Sequence, residues 1–126
     1  MDPFVKITKD IFDSLGGFYK ENIYHSAFEI ELRNSGICFQ SEVICPIVYK
    51  GIQVGFERAD IVIYSENKMD FVIEFKAQIG KTGNKEIQQL RKYLKNFNVE
   101  TGLLINFSSA LEIIKVTQED YYILKI

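Results

Sequence analysis

Two stretches with the make-up of buried β-strands, Ile52 to Tyr64 and Met69 to Gln78, carry charges in their interiors: Asp60 in the first, Glu74 and Lys76 in the second. A carboxylate taken out of water without compensation is so unfavourable that it takes up a proton, finds a counter-charge or binds a metal. The fold must therefore give these three groups company. Side chains alternate along a strand, so Glu74 and Lys76 share a face with Val72, while Ile73 and Phe75 take the other. Asp60 sits on the preceding strand with Val62 on its own face, and a turn at Glu66-Asn67-Lys68 brings it opposite or diagonal to Glu74. Two carboxylates one cross-strand spacing apart repel each other, and a divalent cation cancels that repulsion. Hard oxygen ligands, with water in the remaining positions, suit magnesium or manganese. The plainer competitor is a structural ion-pair network on a solvated sheet face, since antiparallel sheets often expose one side.

The rest of the chain supplies a frame for that strand pair. A helix over about Phe4 to Leu15 is stopped by Gly16-Gly17. A second, about Lys20 to Asn34, sets Tyr24, Phe28 and Leu32 at helical spacing with Ile23 and Ala27 beside them, and Asn22, Ser26, Glu29 and Arg33 on the wet face. Ser35-Gly36 ends it. The period then changes: Ile37 to Tyr49 is rich in β-branched and aromatic residues, and Tyr49-Lys50-Gly51 turns it into the Ile52 run as a hairpin. Pro46 marks an edge or a bulge. After the third strand a loop from Gly80 to Asn84 leads into a helix to about Phe97, with Asn84 as its expected N-cap and Ile87, Leu90, Leu94 and Phe97 as its apolar stripe. Thr101 to Phe107 reads as a buried strand, and short strands over 111–117 and 121–126 finish the chain. The order α, α, β, β, β, α, β, with one or two more strands, predicts an α/β (α+β) fold with a central mixed sheet flanked by helices.

Size and composition allow this. A chain of 126 residues with 47% hydrophobic and 25% charged residues can bury a real core, and residues 1–126 are expected to form one domain. No apolar run approaches the ~20 residues of a membrane span, and Met-Asp-Pro-Phe-Val-Lys lacks the layout of a secretory signal. An intracellular protein, cytoplasmic or nuclear and without a membrane partner, is expected. Cys38 and Cys45 lie an odd number of residues apart on one strand and so point to opposite faces, unbridged.

The net charge of −2 gives no global pull toward a polyanion. Locally the picture differs. From Lys76 to Lys95 the bases Lys76, Lys81, Lys85, Arg91, Lys92 and Lys95 face a lone acid, Glu86, whereas the stretch from Glu57 to Glu74 is mostly acidic. Acids to hold a metal beside bases to hold a phosphate backbone are what phosphodiester cleavage requires, which makes nucleic acid, DNA or RNA, the expected partner. A solvated helix face is the plain alternative for the basic run.

Four further residues bear on the site. Glu21 lies three and seven residues before Tyr24 and Phe28, so it extends the apolar stripe toward the sheet as a third acid; it also suits a helix N-terminus, where the macrodipole favours it. Gln89 borders the apolar stripe of the later helix and can order water or bond to a site residue. Arg58 alternates away from Asp60, and a salt bridge with Glu57 or Asp70 is its expected role. His25, four residues after Glu21, has the spacing of a metal-ligand pair, but a lone histidine is usually surface or core filling, and it is left outside the site.

Together these residues resemble the GxxExxY proteins, a branch of the PD-(D/E)xK nuclease superfamily, from about Leu15 to Val116. The resemblance is carried by Leu15-Gly16 with Glu21 and Tyr24, by Glu42 before Pro46, and by Tyr49-Lys50-Gly51. It continues through Arg58-Ala59-Asp60, Glu74-Phe75-Lys76-Ala77, Gln89 with Tyr93-Leu94, and Gly102 to Phe107. Three residues before Glu21, where the family has glycine, stands Phe18, with Gly16 and Gly17 slightly earlier. The resemblance implies a restriction-endonuclease-like αβββαβ core, metal-binding acids at Asp60 and Glu74, a catalytic lysine at Lys76, and supporting roles for Glu21 and Gln89. The expected activity is metal-assisted attack of water on a phosphodiester, with Mg2+ or Mn2+ as cofactor. A chain this small gains from pairing as a homodimer to address two strands. The alternative is a catalytically inactive nucleic-acid-binding or protein-interaction domain that keeps the fold.

Overall fold

The computed structural model describes residues 2–125. Helices α1 (Asp2–Leu15) and α2 (Glu21–Asn34) precede strands β1 (Phe39–Tyr49), β2 (Ile52–Ser65) and β3 (Lys68–Lys76); then come α3 (Asn84–Phe97), β4 (Thr101–Phe107), β5 (Leu111–Thr117) and β6 (Tyr121–Ile123). The sheet runs β1-β2-β3-β4-β5-β6 in space. Every neighbouring pair is antiparallel except β3 and β4, whose parallel pairing is bridged by the α3 crossover. The expected order of elements is therefore found, as a mixed six-stranded sheet with helices on both faces.

Helical and strand periods divide the core into two layers. Phe4, Ile7 and Ile11 of α1 and Tyr24, Phe28 and Leu32 of α2 lie on one face of each helix and bury against Ile61, Ile63, Phe71, Ile73, Phe75, Ile105 and Phe107. This layer is aromatic: Tyr24 stacks on Phe107 with ring centroids 4.0 Å apart, and Phe4 stacks on Phe71. On the other face α3 sets Ile87, Leu90, Tyr93 and Leu94 against Val62, Val72, Leu104, Ile114 and Val116. Gly102 makes the second contact close, because a Cβ there would meet the Val72 carbonyl oxygen at 2.6 Å and the Leu90 and Leu94 methyls.

Local differences from expectation have local causes. Gly83, not Asn84, caps α3, and it does so without a side-chain bond; Asn84 is the first helical residue. Lys20 is likewise the cap of α2, not part of it. The third strand ends at Lys76 instead of Gln78, because the Asn106 side chain takes over the hydrogen bonding of Gln78. The last strand is short, and Ile126 lies outside the described residues. Pro46 does fall on the sheet edge, in β1, next to a register shift between Ile47 and Val48. Both cysteines are free.

An inversion of the strand pattern sits between β1 and β2. Phe39 packs with the α1/α2 layer and Ser41 bonds to residues of α2, yet Val43 and Cys45 pack with the α3 layer, although all four have odd numbers. On β2, Ala59 packs with the α3 layer and Ile61 with the α1/α2 layer. Alternation thus inverts at Glu42 and Asp60, which lie opposite each other between the rungs Ser41↔Ile61 and Val43↔Ala59. Glu42 causes it: its φ of 55° is left-handed, a conformation that L-residues rarely adopt within a strand.

Candidate active site

The antiparallel ladder between β2 and β3 runs to Ile61↔Ile73, and the next rung would set Asp60 against Glu74. There side chains replace backbone carbonyls. The Asp60 N–H donates to Glu74 Oε1 at 2.7 Å, and the Phe75 N–H donates to Asp60 Oδ2 at 2.8 Å. Each carboxylate is thus anchored by the other's strand at the point where the two strands part.

The electrostatics of this pair disfavour two negative charges. Glu74 is 6% exposed. Its pKa is pushed well above the ordinary value, first by burial and then by the charge of Asp60, with Glu21 adding; the Asp60 N–H and the Lys76 ammonium pull the other way. Asp60 is also raised, by burial first and then by Glu42 and Glu21, against the Phe75 N–H and His25. A buried and a half-buried carboxylate that repel each other fit a divalent ion, which would offset both the desolvation and the repulsion.

Lys76 ends β3, half-buried and two residues beyond Glu74 as alternation predicts. The chain just after it is clamped by Asn106 on β4, fully buried and opposite Lys76. Asn106 Oδ1 accepts from the Gln78 N–H at 3.0 Å, and its Nδ2 donates to the carbonyls of Gln78 and Gly80. The signal for Asn106 in the sequence is a lone amide within the apolar run Leu103 to Phe107.

Glu21 is the first residue of α2, exposed, and its charge is felt by both Asp60 and Glu74. Tyr24 fixes that helix start. Its hydroxyl donates to the Gly16 carbonyl at 2.8 Å and accepts from the Tyr19 N–H at 3.1 Å. Gly17 lets the same turn press on the end of β4, where a Cβ would meet the Ser108 carbonyl oxygen at 2.0 Å. The tyrosine three residues after Glu21 is thus the anchor of the loop that presents Glu21.

Other expected site residues are placed differently. Gln89 donates from Nε2 to Glu57 Oε2 at 2.9 Å and to the Tyr93 hydroxyl, with no hydrogen bond to Asp60 or Glu74; it approaches the site through Tyr93, whose hydroxyl donates to the Arg58 carbonyl. Arg58 lies over the Phe56 ring at 5.3 Å instead of bridging to Glu57 or Asp70. Asp60 does not share a face with Val62: its carboxylate gathers with His25 and Glu42 on the α2 side, because of the inversion at Glu42, while Val62 packs under α3. His25, left outside the site on sequence grounds, is therefore beside it. Of the expected phosphate-holding bases, Lys85, Lys92 and Lys95 line one groove face of α3 next to Glu57, and Lys81 is exposed on the loop after Lys76. Arg91 is turned elsewhere, donating to the Thr117 carbonyl.

A split antiparallel strand pair carrying Asp and Glu-x-Lys, within an αβββαβ core, defines a restriction-endonuclease-like fold. The chain belongs to the PD-(D/E)XK nuclease superfamily, whose family model matches residues 2–116. Among curated proteins none matches it by sequence. A solved structure described as "Crystal structure of SSO0001" is similar, with a TM-score of 0.53 and 22% identity over 77% of this chain and 50% of that one. That likeness speaks for the fold alone, and this chain spans half the length of that structure. Among the described residues no helix is long and apolar enough to cross a membrane.

Proposed function

We propose that the chain is a metal-dependent nuclease that hydrolyses phosphodiester bonds of DNA or RNA, with Mg2+ or Mn2+ held by Asp60 and Glu74, and that it falls in the GxxExxY branch of its superfamily. The observation that carries this is the meeting of two carboxylates at the parting of β2 and β3, each bonded to a backbone N–H of the other's strand. A divalent ion held by Asp60 and Glu74 would supply an acidified water and a Lewis acid for a phosphoryl oxygen. The chain's own groups do the rest. Lys76 stabilises the negative charge that builds up on the phosphate, and Asn106 keeps the backbone after it in place. Glu21 adds acidity to the metal side, held at its position by Tyr24. Gln89 acts as a positioning residue through Tyr93 and the Arg58 carbonyl. Lys81, Lys85, Lys92 and Lys95 hold the phosphate backbone, with Arg91 at the margin. A homodimer, which light scattering tests, would set two such sites against two strands.

Incubation with mixed DNA and RNA substrates and either metal tests the function. Wild type is expected to cleave, and Lys76→Ala and Asp60→Asn to lose roughly 100- to 1,000-fold in rate. If wild type and Lys76→Ala leave every substrate equally intact, the enzymatic claim fails. Nucleic-acid binding without cleavage and indifferent to chelator would then identify a binding domain that keeps the fold.

A further inference from the structure

His25 is the chain's sole histidine, and it sits one helical turn beyond Glu21 on α2. One ring nitrogen, Nε2, lies 3.2 Å from Ser41 Oγ. The Ser41 hydroxyl donates its proton to Glu29 Oε2. A hydroxyl has one proton, and it goes to Glu29, so Ser41 offers His25 only a lone pair and Nε2 carries the hydrogen. The other ring nitrogen, Nδ1, lies 3.8 Å from Glu42 Oε1, with the Asp60 carboxylate beside it.

A direct N–H···O bond closes to about 2.7–3.2 Å, so 3.8 Å is too long for one, although it is within reach of an ion pair when the ring is protonated, as is Glu29 at 3.6 Å from Nε2. Two atoms that each sit about 2.1 Å from a shared ion are roughly 3–4 Å apart. One ligand atom from each of His25, Glu42 and Asp60 lies within 4.8 Å of the other two, so a small movement of the exposed Glu42 side chain would close the three on one ion. The rest of the arrangement matches a ligating histidine, whose second ring nitrogen characteristically donates to an oxygen that fixes the ring; here Ser41, backed by Glu29, does that. The left-handed φ of Glu42, which costs about 1–2 kcal/mol, is what swings β1 so that this carboxylate faces α2 at all.

We propose that His25 Nδ1, Glu42 and Asp60 form a mixed nitrogen–oxygen ligand set on the α2 side of Asp60, and that it makes the site prefer Mn2+ over Mg2+. An imidazole nitrogen favours transition ions, whereas magnesium selects oxygen and water. The assignment rests on the divalent-metal site proposed at Asp60, which it shares, and places His25 and Glu42 beside that carboxylate; Glu74 lies outside this cluster.

Untagged protein and Mn2+ alone suffice for the test, read by the loss of the free-ion electron paramagnetic resonance signal, with Mg2+ as competitor. His25→Ala and Glu42→Gln are expected to weaken Mn2+ binding about tenfold or more and to change Mg2+ competition less than about threefold. Glu74→Gln serves as the control for the parent assignment. Mn2+ binding that His25→Ala leaves unchanged and Glu74→Gln abolishes would overturn the inference and leave the Asp60–Glu74 site standing; wild type that binds no Mn2+ overturns both. Spin-echo modulation on Mn2+-loaded wild type needs no variant. Because the chain has one histidine, a nitrogen modulation from imidazole can come only from His25, and its absence in the loaded protein also overturns the inference.

Discussion

Tyr24 on α2 and Tyr93 on α3 do the same work on opposite faces of the sheet. Each is a buried phenol that bonds to the backbone near a site acid: Tyr24 to the Gly16 carbonyl before Glu21, Tyr93 to the Arg58 carbonyl before Asp60. Burial, followed by the charges of Glu74 and Glu57, holds the Tyr93 hydroxyl well above its ordinary pKa, so it keeps the proton it donates. The surroundings of the two tyrosines differ in charge. Under α3, Glu57 is met directly by Gln89. Under α2, the charges of Glu21 and Glu42 bear on Asp60, and Glu21 also bears on Glu74. One face is closed by its own hydrogen bonds, and the other keeps acids that a cation would complete. Stability alone would favour closing both, so the open face is where function is expected.

The largest effect should come from the core beneath each face. Phe107→Ala removes the ring stacked on Tyr24 and should cost about 3–5 kcal/mol in urea unfolding; Leu94→Ala, under α3, should cost about 2–5 kcal/mol. The comparison sharpens in the folded fraction. Phe107→Ala frees the tyrosine that places Glu21, so its cleavage rate should fall several-fold beyond the loss of folded protein, whereas Leu94→Ala should stay within about threefold of wild type. Equal losses would mean that the two faces contribute alike.

Glu74→Gln comes next, because it sets stability against function. The amide oxygen can still accept from the Asp60 N–H, while the buried charge and its repulsion disappear. The metal-free variant should be more stable than wild type by about 1–2 kcal/mol at pH 8, yet fail to bind metal. The pH dependence follows the same sign. Both Asp60 and Glu74 have folded pKa values above their unfolded ones, so the folded state holds more protons, and their contribution to stability is lost as pH rises from the ordinary carboxylate values, 3.8 for Asp60 and 4.5 for Glu74, through the folded ones. Melting temperatures of metal-free wild type should therefore fall as pH rises across that window. The slope should be shallower in Glu74→Gln and in protein saturated with Mn2+.

Regular parts of this molecule are legible in the sequence, and its irregular ones are not. Glu74 and Lys76 alternate with Ile73 and Phe75 as expected because β3 is unbroken up to Lys76. The side on which Asp60 gathers escapes period-2 reasoning, which cannot foresee an inversion driven by one left-handed residue, Glu42, on a neighbouring strand. His25 escapes it for the same reason: its partners Ser41 and Glu42 lie across the fold, and only the inversion turns Glu42 toward it. Gln89 has the position on α3 to meet the acids, but a partner 32 residues away, Glu57, captures its amide. Fold order depends on periods that each segment carries alone; site membership depends on pairings that no segment carries alone.

The smallest expected effect tests whether the basic run is one surface or two. Lys92 is exposed on the α3 face that also carries Lys85 and Lys95, free to reach a phosphate, while Arg91 is tied to the Thr117 carbonyl and turned toward β5. A side chain that neutralises one phosphate on duplex DNA releases about 0.9 of a counterion. Lys92→Ala should therefore weaken nucleic-acid binding a few-fold and lower the slope of log Kd against log salt by about one. Arg91→Ala should leave that slope unchanged and cost about 1 kcal/mol of stability through the lost carbonyl bond. Matching salt slopes for the two variants would show that position along the helix, not the face each base occupies, decides which bases meet the substrate.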